Sequence, residues 1–379
     1  LYHHERQLIQ FAPARAKQKY LVPLPADAAN KLLEQKIDGE RFVLHTHVGG
    51  SYLHACTSRR VSDVTDRYVE KTDRVPHLTN YANLSQKSMI DNEFVSSADA
   101  IYRELPGWLW DKLTEPRHPH MEWLKTEFGG AIPIYPHVSH TTSVMGSLGP
   151  RAVQLQQERG KIWAYAFDVV QYLGQDARQS PQSNRRQLLA SIYEKVDPSS
   201  GLVLMPQWRG MSVEQIEYFY YLLTDPQSDG RDGGEGLILK ETSARYDAPK
   251  NWWKLKRDWP VDVVVTGGYK LGEEGKTGKM LGMVSSIEIG VYHQGHLYPL
   301  AFVSAIMDDE SGLMTPEEFL ESGLVFRVME ARCNGKQDDP DARLGYTLRH
   351  PRFRRWRDDK SATDCTLEAL LAELGRPRG

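Results

Sequence analysis

Apolar and polar residues alternate along FVLHTHV (42–48), the period of two that a half-buried strand imposes, and SMIDNEFV (88–95) is a further strand candidate. Gly49-Gly50 after the first run signals a hairpin into SYLHACTSRR. Ahead of these strands, VPLP predicts a turn and DAANKLLEQKIDGER (27–41) a short helix. Three later stretches read as helices. GPRAVQLQQERG (149–160) has Pro150 for its first turn and Gly160 for its stop, NRRQLLASIYEKV (184–196) is the second, and Ser212 with Gln215 makes a capping box ahead of EYFYYLL (217–223). IWAYAFDVV (162–170), GLILKE (236–241) and WWKLKRDW (252–259) predict strands, whereas 97–148, rich in Pro, Trp and His, predicts loops and an inserted subdomain. From about residue 257 the pattern changes to short β-rich runs between glycine turns, interrupted once by a helix at TPEEFLESG (315–323). That pattern fits a small β-barrel, so the expected domains are 1–256 and 257–379.

Composition narrows the class. The chain has 379 residues, 40% apolar and 26% charged, with a formal net charge of −3, which suits a soluble two-domain protein and excludes fibrous and disordered ones. With so little net charge, any nucleic-acid surface must be a local basic patch. Three widely spaced cysteines, Cys56, Cys333 and Cys365, fit neither a disulfide framework nor a cysteine zinc site, so a reducing cytoplasm is the expected home. No apolar run has the length of a membrane span, and the first twenty residues lack the order of a secretory signal.

Chemistry gathers in four places. In EQKIDGER (34–41), Lys36 sits between carboxylates and ahead of Asp-Gly; this is either an ordinary surface turn or a pocketed amine nucleophile with Asp38 and Arg41 placed to handle a phosphorylated partner. In WWKLK, strand alternation puts Lys254 and Lys256 on one face and Trp253 and Leu255 on the other, giving a wet sheet edge or a phosphate clamp. EGLILK delivers Glu235 from a glycine turn and Lys240 at its end, and a carboxylate is the ligand type that Mg²⁺ requires. The tail TLRHPRFRRWRDDK (347–360) carries Arg349, Arg352, Arg354, Arg355, Arg357 and Lys360 against Asp358 and Asp359, the local basic patch that the composition asks for.

Taken in order, these pieces resemble the ATP-dependent DNA ligases of the covalent nucleotidyltransferase superfamily. KIDGER, TSRR, MIDNEFV, YAFDVV, EGLILK, WWKLK and LRHPRFRRWRDDK match that family's motifs in sequence order from residue 34 to residue 360. The resemblance implies an α+β fold, with a nucleotidyltransferase (adenylation) domain of antiparallel sheets and flanking helices followed by a C-terminal OB-fold β-barrel. It implies that Lys36 attacks the α-phosphorus of ATP and carries AMP, which passes to the 5′-phosphate of a nick and is displaced by the 3′-hydroxyl. Arg41 and Glu93 would contact the ribose, Phe167 would stack on adenine, and Glu34 would meet the adenine edge. Arg59 would bind phosphate, Lys254 and Lys256 the α-phosphate, and Glu235, with Glu93, would hold Mg²⁺ or Mn²⁺. Arg357, Asp359 and Lys360 would close over the β,γ-phosphates in the first step, and Arg59, Arg60, Arg349 and Arg352 would meet DNA. The expected partners are nicked duplex DNA and ATP, with no membrane, for a monomer in a bacterial or phage-infected cytoplasm.

The sequence departs from the family at three points: Arg60 replaces the usual Asn, Asn92 the usual Gly and His350 the usual Phe. Asparagine tolerates the left-handed turn that the glycine fills, so Asn92 is expected to take it over. The core resembles the small two-domain phage or bacterial type, in which no N-terminal DNA-binding domain is expected ahead of it. His118, His120, His137 and His140 form H-x-H and H-x-x-H, but loop histidines without cysteine partners read as surface groups rather than a zinc site. The rival readings are an mRNA capping guanylyltransferase using GTP, an RNA ligase, and a nucleic-acid-binding barrel without catalysis. The arginine-proline-arginine run argues against the first, the barrel with its late basic motif against the second, and Lys36, Glu235, Lys254 and Lys256 together against the third.

Overall fold

The computed structural model describes residues 24, 27–46, 55–61, 66, 68–79, 87–224, 233–246, 252–256, 259–272, 281–304 and 314–375. The Gly49-Gly50 hairpin and most of the VPLP turn lie outside them. The chain divides between Lys256 and Arg257 into two compact units.

The first unit is built on two antiparallel sheets. One contains β1 (Leu32–Lys36), β11 (Gln207–Trp208), β12 (Gly236–Lys240) and β13 (Trp252–Lys256) in the order β11-β1-β12-β13. The other contains β2 (Glu40–His45), β3 (Ala55–Val61), β4 (Tyr68–Glu70), β5 (Met89–Ser96), β8 (Ile162–Tyr172) and β10 (Leu202–Leu204) in the order β10-β8-β5-β2-β3-β4, with β9 (Gln175–Asp176) beside β8 and β10 the one parallel neighbour. The helix expected before Lys36 shrinks to a 3-10 turn at Ala28–Asn30, and the chain then enters β1. Leu33 and the facing Trp208 and Leu239 are fully buried, so pairing on both sides of β1 outweighs the helical propensity of its leucines.

The stretch 97–148 is an ordered layer instead of loops. A hairpin of β6 (Ile101–Glu104) and β7 (Ala131–Ile134) carries α2 (Gly107–Trp110) and α3 (Pro119–Glu127), and α4 (Ser139–Gly146) follows; a four-residue α1 (Pro76–Thr79) precedes them. Its Pro and Trp residues cap and fill: Pro119 opens α3, and Trp110 is buried and donates to Gly130 O at 3.2 Å. His118 caps α3, and His120, far from being a surface group, is fully buried, with Nε2 on Val196 O at 2.7 Å and Nδ1 accepting from Leu204 N at 3.1 Å. Among the described residues no cluster of His, Cys, Asp and Glu could hold a metal by itself.

The remaining helices of this unit are α5 (Gly149–Arg159), α6 (Gln182–Tyr193) and α7 (Val213–Thr224). Gly160 ends α5, and Ser212 and Gln215 exchange both capping-box bonds, Ser212 N to Gln215 Oε1 at 3.0 Å and Gln215 N to Ser212 Oγ at 3.2 Å. From α6, the fully buried Arg185 grips Asp168 of β8 with two bonds of 2.8 and 3.0 Å.

The second unit is a five-stranded antiparallel sheet in the order β16-β15-β14-β17-β20, the OB-fold β-barrel that the sequence predicts. Its strands are β14 (Trp259–Leu271), β15 (Val284–His293), β16 (His296–Ser304), β17 (Val328–Cys333) and β20 (Arg352–Trp356), and β18 (Lys336–Asp338) pairs with β19 (Tyr346–Leu348). α8 (Pro316–Glu321) has a complete Thr315–Glu318 capping box, and α9 (Leu367–Gly375) buries Leu370 and Leu374 in a core of valines and isoleucines. Among the described residues no helix is long and apolar enough to cross a membrane.

Candidate active site

Three strands of the smaller sheet bring the amines together. β1, β12 and β13 are in register so that Lys36, Gly236 and Lys256 lie abreast, and Glu34, Ile238 and Lys254 form the next row on the same face. Directly opposed residues share a face, so the lysines project to one side while Leu33, Leu237 and Leu255 enter the core. Gly236 cannot be replaced cheaply: it has φ of +139°, and a Cβ there would stand 1.9 Å from Leu255 O. Just before it, Glu235 bridges the row, one carboxylate oxygen bound by Lys36 Nζ and the other by Lys256 Nζ. Burial would raise the Glu235 acid, but Lys36 and Lys256 outweigh it and hold the pKa down at about 2. Burial and the neighbouring Lys36 and Lys256 push Lys254 down to about 8, and burial and Lys36 lower Lys256 as well.

The turn Ile37-Asp38-Gly39 carries the chain from this sheet to the other. Gly39 is needed for close approach and not for a left-handed turn, since a Cβ would meet Phe94 O at 2.5 Å. Asp38 is buried and its charge acts on Lys256. In β2, Arg41 is held by Asp91 of β5 through Nε to Oδ1 at 2.8 Å and a second bond from Nη2 to Oδ2, and Nη2 also donates to Tyr246 Oη at 3.1 Å. Tyr246 in turn donates to Asp91. Burial disfavours the charge on Arg41, but Asp91 overcomes it and raises the guanidinium further. Glu93 lies two residues along β5, and burial, opposed by Lys36 and Arg41, lifts its carboxyl to about 7. Phe167 occupies a bulge: Asp91 pairs with Asp168 and Asn92 with Ala166, leaving Phe167 as the extra residue of β8. Its ring lies 5.2 Å from the Arg41 guanidinium carbon and 5.1 Å from Lys240 Nζ.

Glu34, opposite Gln207 in the ladder, accepts from Gln207 Nε2 at 2.9 Å and pairs with Lys240 Nζ at 2.6 Å. Lys240 also lies 4.4 Å over the Trp252 ring. Asn92 does not take a left-handed turn: it is a fully buried strand residue of β5 whose Nδ2 donates to Ile90 O at 2.8 Å. The β5–β8 ladder accommodates it through the register shift beside it. His350, in contrast, has φ of +48°. Arg59 and Arg60 lie in β3, and their side chains are outside the described set.

The tail belongs to the second unit and is not a free basic patch. Arg354 and Arg355 bind Glu330, Arg327 binds Asp358 at 2.9 Å, Arg357 binds Asp359 and Asp262, and Lys360 binds Asp262. Arg357 holds Asp359 down at about 2 through their hydrogen bond. Arg352 Nη2 reaches Asn334 Oδ1 at 3.5 Å, and Arg349 N donates to Gly335 O at 2.9 Å.

The first unit thus collects Glu34, Lys36, Asp38, Arg41, Glu93, Phe167, Glu235, Lys254 and Lys256 on its two sheets, while Arg357, Asp359 and Lys360 gather on the barrel. Sequence reading missed Asp91, Tyr246, Gln207 and Asp262. Asp91 carried a signal, being two residues before Glu93 on the same strand; the other three carried none. Glu93 offers the hard oxygen that a divalent cation arriving with a triphosphate requires, whereas both oxygens of Glu235 are held by Lys36 and Lys256 and would serve the ion only by exchanging an amine for it.

The family profile described as ATP dependent DNA ligase domain matches residues 24–256. A DNA ligase of Saccharolobus solfataricus is 24% identical, covering 91% of this chain and 55% of its own length; one of Saccharolobus shibatae is 25% identical, with 90% and 55% covered. The chain spans about half the length of the curated relatives it matches. Among solved structures, one titled Pmar-Lig_PreS3 superposes with a TM-score of 0.56 at 14% identity, covering 91% of this chain and 67% of that one. Another, from a structure-function analysis of Lig E DNA ligases titled as DNA binding with a minimal scaffold, superposes at 0.55 with 17% identity, covering 92% and 100%. These superpositions carry the fold.

Proposed function

The chain belongs to the ATP-dependent DNA ligase family, and from that premise we propose that it seals 5′-phosphate/3′-hydroxyl nicks in duplex DNA through AMP carried on Lys36. The observation that supports this most is the row Lys36–Gly236–Lys256 with Glu235 bridging the two amines. A nucleophilic amine needs a group to take its hydrogen bond and cations to meet the charge on the phosphoryl oxygens it attacks. Here Glu235 holds Lys36, and Lys254 and Lys256 are the cations. Glu235 and Glu93 would hold Mg²⁺ or Mn²⁺, which neutralises developing phosphate charge. Phe167 supplies an aromatic face to the base, Glu34 meets the adenine edge, and Arg41 and Glu93 serve the ribose. Arg357, Asp359 and Lys360 orient the β,γ-phosphates; Arg59, Arg60, Arg349 and Arg352 contact DNA phosphates. The working form is a cytoplasmic monomer.

In the first step Lys36 releases a proton to solvent and attacks as the free amine: its lone pair forms a bond to the α-phosphorus, the bond from that phosphorus to the α,β-bridging oxygen breaks with its electron pair leaving on pyrophosphate, and the nitrogen's surplus proton passes to solvent. AMP then passes to the 5′-phosphate, and the 3′-hydroxyl displaces it. Incubation with α-labelled ATP or GTP and Mg²⁺, then denaturing electrophoresis, tests the proposal. Wild type should take label from ATP, and Lys36→Ala should lose both label and sealing of ordinary nicks. Labelling of Lys36→Ala at the wild-type level refutes the nucleophile, preference for GTP favours a capping enzyme, sealing of RNA alone an RNA ligase, and no label at all a binding barrel.

A further inference from the structure

Asp262 of β14 stands opposite Glu330 of β17, and Glu330 stands opposite Arg355 of β20. Two carboxylates facing each other across a ladder repel, and the barrel answers with cations from β20 and the turn after it. Arg354 and Arg355 go to Glu330; Arg357 and Lys360 go to Asp262. Both oxygens of Asp262 accept from Arg357 Nη1, at 3.0 and 2.9 Å, and Oδ2 also accepts from Lys360 Nζ at 2.9 Å. The opposite edge of Arg357, Nε and Nη2, lies on Asp359 at 2.8 and 2.9 Å. Asp262, Arg357 and Lys360 are each about one-fifth exposed, so an anion from solvent can reach the cluster.

A guanidinium and an ammonium that converge on one carboxylate present the donor set that also grips two oxygens of a phosphate. We propose that Asp262 is a positioning residue that stands in for the departing pyrophosphate: it holds Arg357 and Lys360 together when the phosphates are absent and competes for them when they are present. This rests on assigning Arg357 and Lys360 to the β,γ-phosphates. The competing carboxylate weakens the clamp's hold on pyrophosphate, so that the product leaves once AMP is on Lys36.

The test uses the full chain charged with labelled AMP, then titrated with pyrophosphate and Mg²⁺. In that reverse step a pyrophosphate oxygen bonds to the α-phosphorus, the phosphorus–nitrogen bond to Lys36 breaks with its electron pair returning to nitrogen, and ATP leaves. Asp262→Asn and Asp262→Ser should both lower the pyrophosphate concentration for half-discharge, on the order of three- to tenfold for the loss of two partly exposed ion pairs. Sealing of nicks that already carry 5′-AMP should stay at the wild-type rate. A merely structural partner moves these readouts the other way, because a loosened barrel cannot bind pyrophosphate more tightly. A half-discharge concentration unchanged or raised in both variants, or unfolding of both, overturns the proposal while leaving wild-type labelling intact. A wild-type chain that takes no label from ATP fails the nucleotidyl-transfer reading itself.

Discussion

Replacing Glu235 with Gln keeps the side-chain shape and removes the charge that Lys36 and Lys256 share. Only about a tenth of the Glu235 side chain is exposed, and the two lysines are little more so, so solvent screens the pair weakly. Burial alone would lift the acid above its ordinary 4.5, yet Lys36 and Lys256 hold it well below that value, so the two lysines more than offset burial. Removing one partner of a buried pair costs about 3–5 kcal/mol. Glu235→Gln should therefore destabilise the 1–256 unit by about 3 kcal/mol at pH 7 in the absence of ligand. The sign with pH is fixed. A depressed acid contributes its full stability above about 4.5 and loses it as pH falls through about 2, so the difference between wild type and variant should shrink across that window. Added tripolyphosphate should recover more stability in the variant, whose uncompensated lysines need an anion. Urea unfolding at pH 7 and pH 3, with and without tripolyphosphate, reads all three effects. Equal stabilities at pH 7, or a difference that does not change with pH, would refute the claim that the bridge is a buried charge network.

Phe167→Ala should weaken ATP use by about 1–3 kcal/mol, the scale of a lost base–aromatic stack, read from the ATP dependence of labelling; no change would put the base elsewhere, though not on Tyr165, which is buried against Tyr135 with a 2.9 Å bond between hydroxyls. Arg357→Ala and Lys360→Ala should cripple AMP transfer from ATP yet spare sealing of nicks already carrying 5′-AMP, because the β,γ-phosphates have gone by then; equal losses in single-turnover rates of the two steps would sink that division. His45 and His120 are each held by burial down at about 4, so they resist protonation that the unfolded chain accepts near 6.5. Stability should thus fall as pH drops from about 6.5 to about 4, by up to about 3 kcal/mol for each, and a urea midpoint flat over that range would contradict it.

β2 and β5 are buried on both faces, Phe42 to His45 and Asp91 with Asn92 included, so no wet face marks them. FVLHTHV is legible from its alternation and WWKLK from its paired lysines, and the capping residues Ser212, Gln215, Thr315 and Glu318 mark helix starts by chemistry that acts within four residues. Reading failed where a distant partner decides the local state. Leu32–Lys36 has helix-forming leucines, and only the arrival of β11 and β12 makes it a strand. The layer over 97–148 looked irregular because its helices are short and its proline and histidine residues serve as caps and core, roles that depend on neighbours such as Ala190 and Val196. In the site, the nucleophile candidate and its lysines carry spacing that sequence shows, whereas Tyr246 meets Arg41 across 205 positions and Gln207 meets Glu34 across 173. Buried charges require partners, but the requirement names no partner.

The tail illustrates the same limit for charge. Counted along the chain, Arg349 to Lys360 is strongly basic, and a polyanion would be drawn to it. Folded, Arg354 and Arg355 are paired with Glu330 and Arg357 and Lys360 with Asp262, so its far field is weaker than its count. Binding an anion there is an exchange: each incoming phosphate oxygen must replace a carboxylate oxygen already at hydrogen-bond distance. A diffuse polyanion makes that exchange poorly, since it offers charge without matched geometry. A di- or triphosphate that sets its oxygens where Asp262 now sets its own can break even on hydrogen bonds and gain from its greater charge. Internal pairing of this kind therefore favours phosphate groups of defined position over duplex backbone in general.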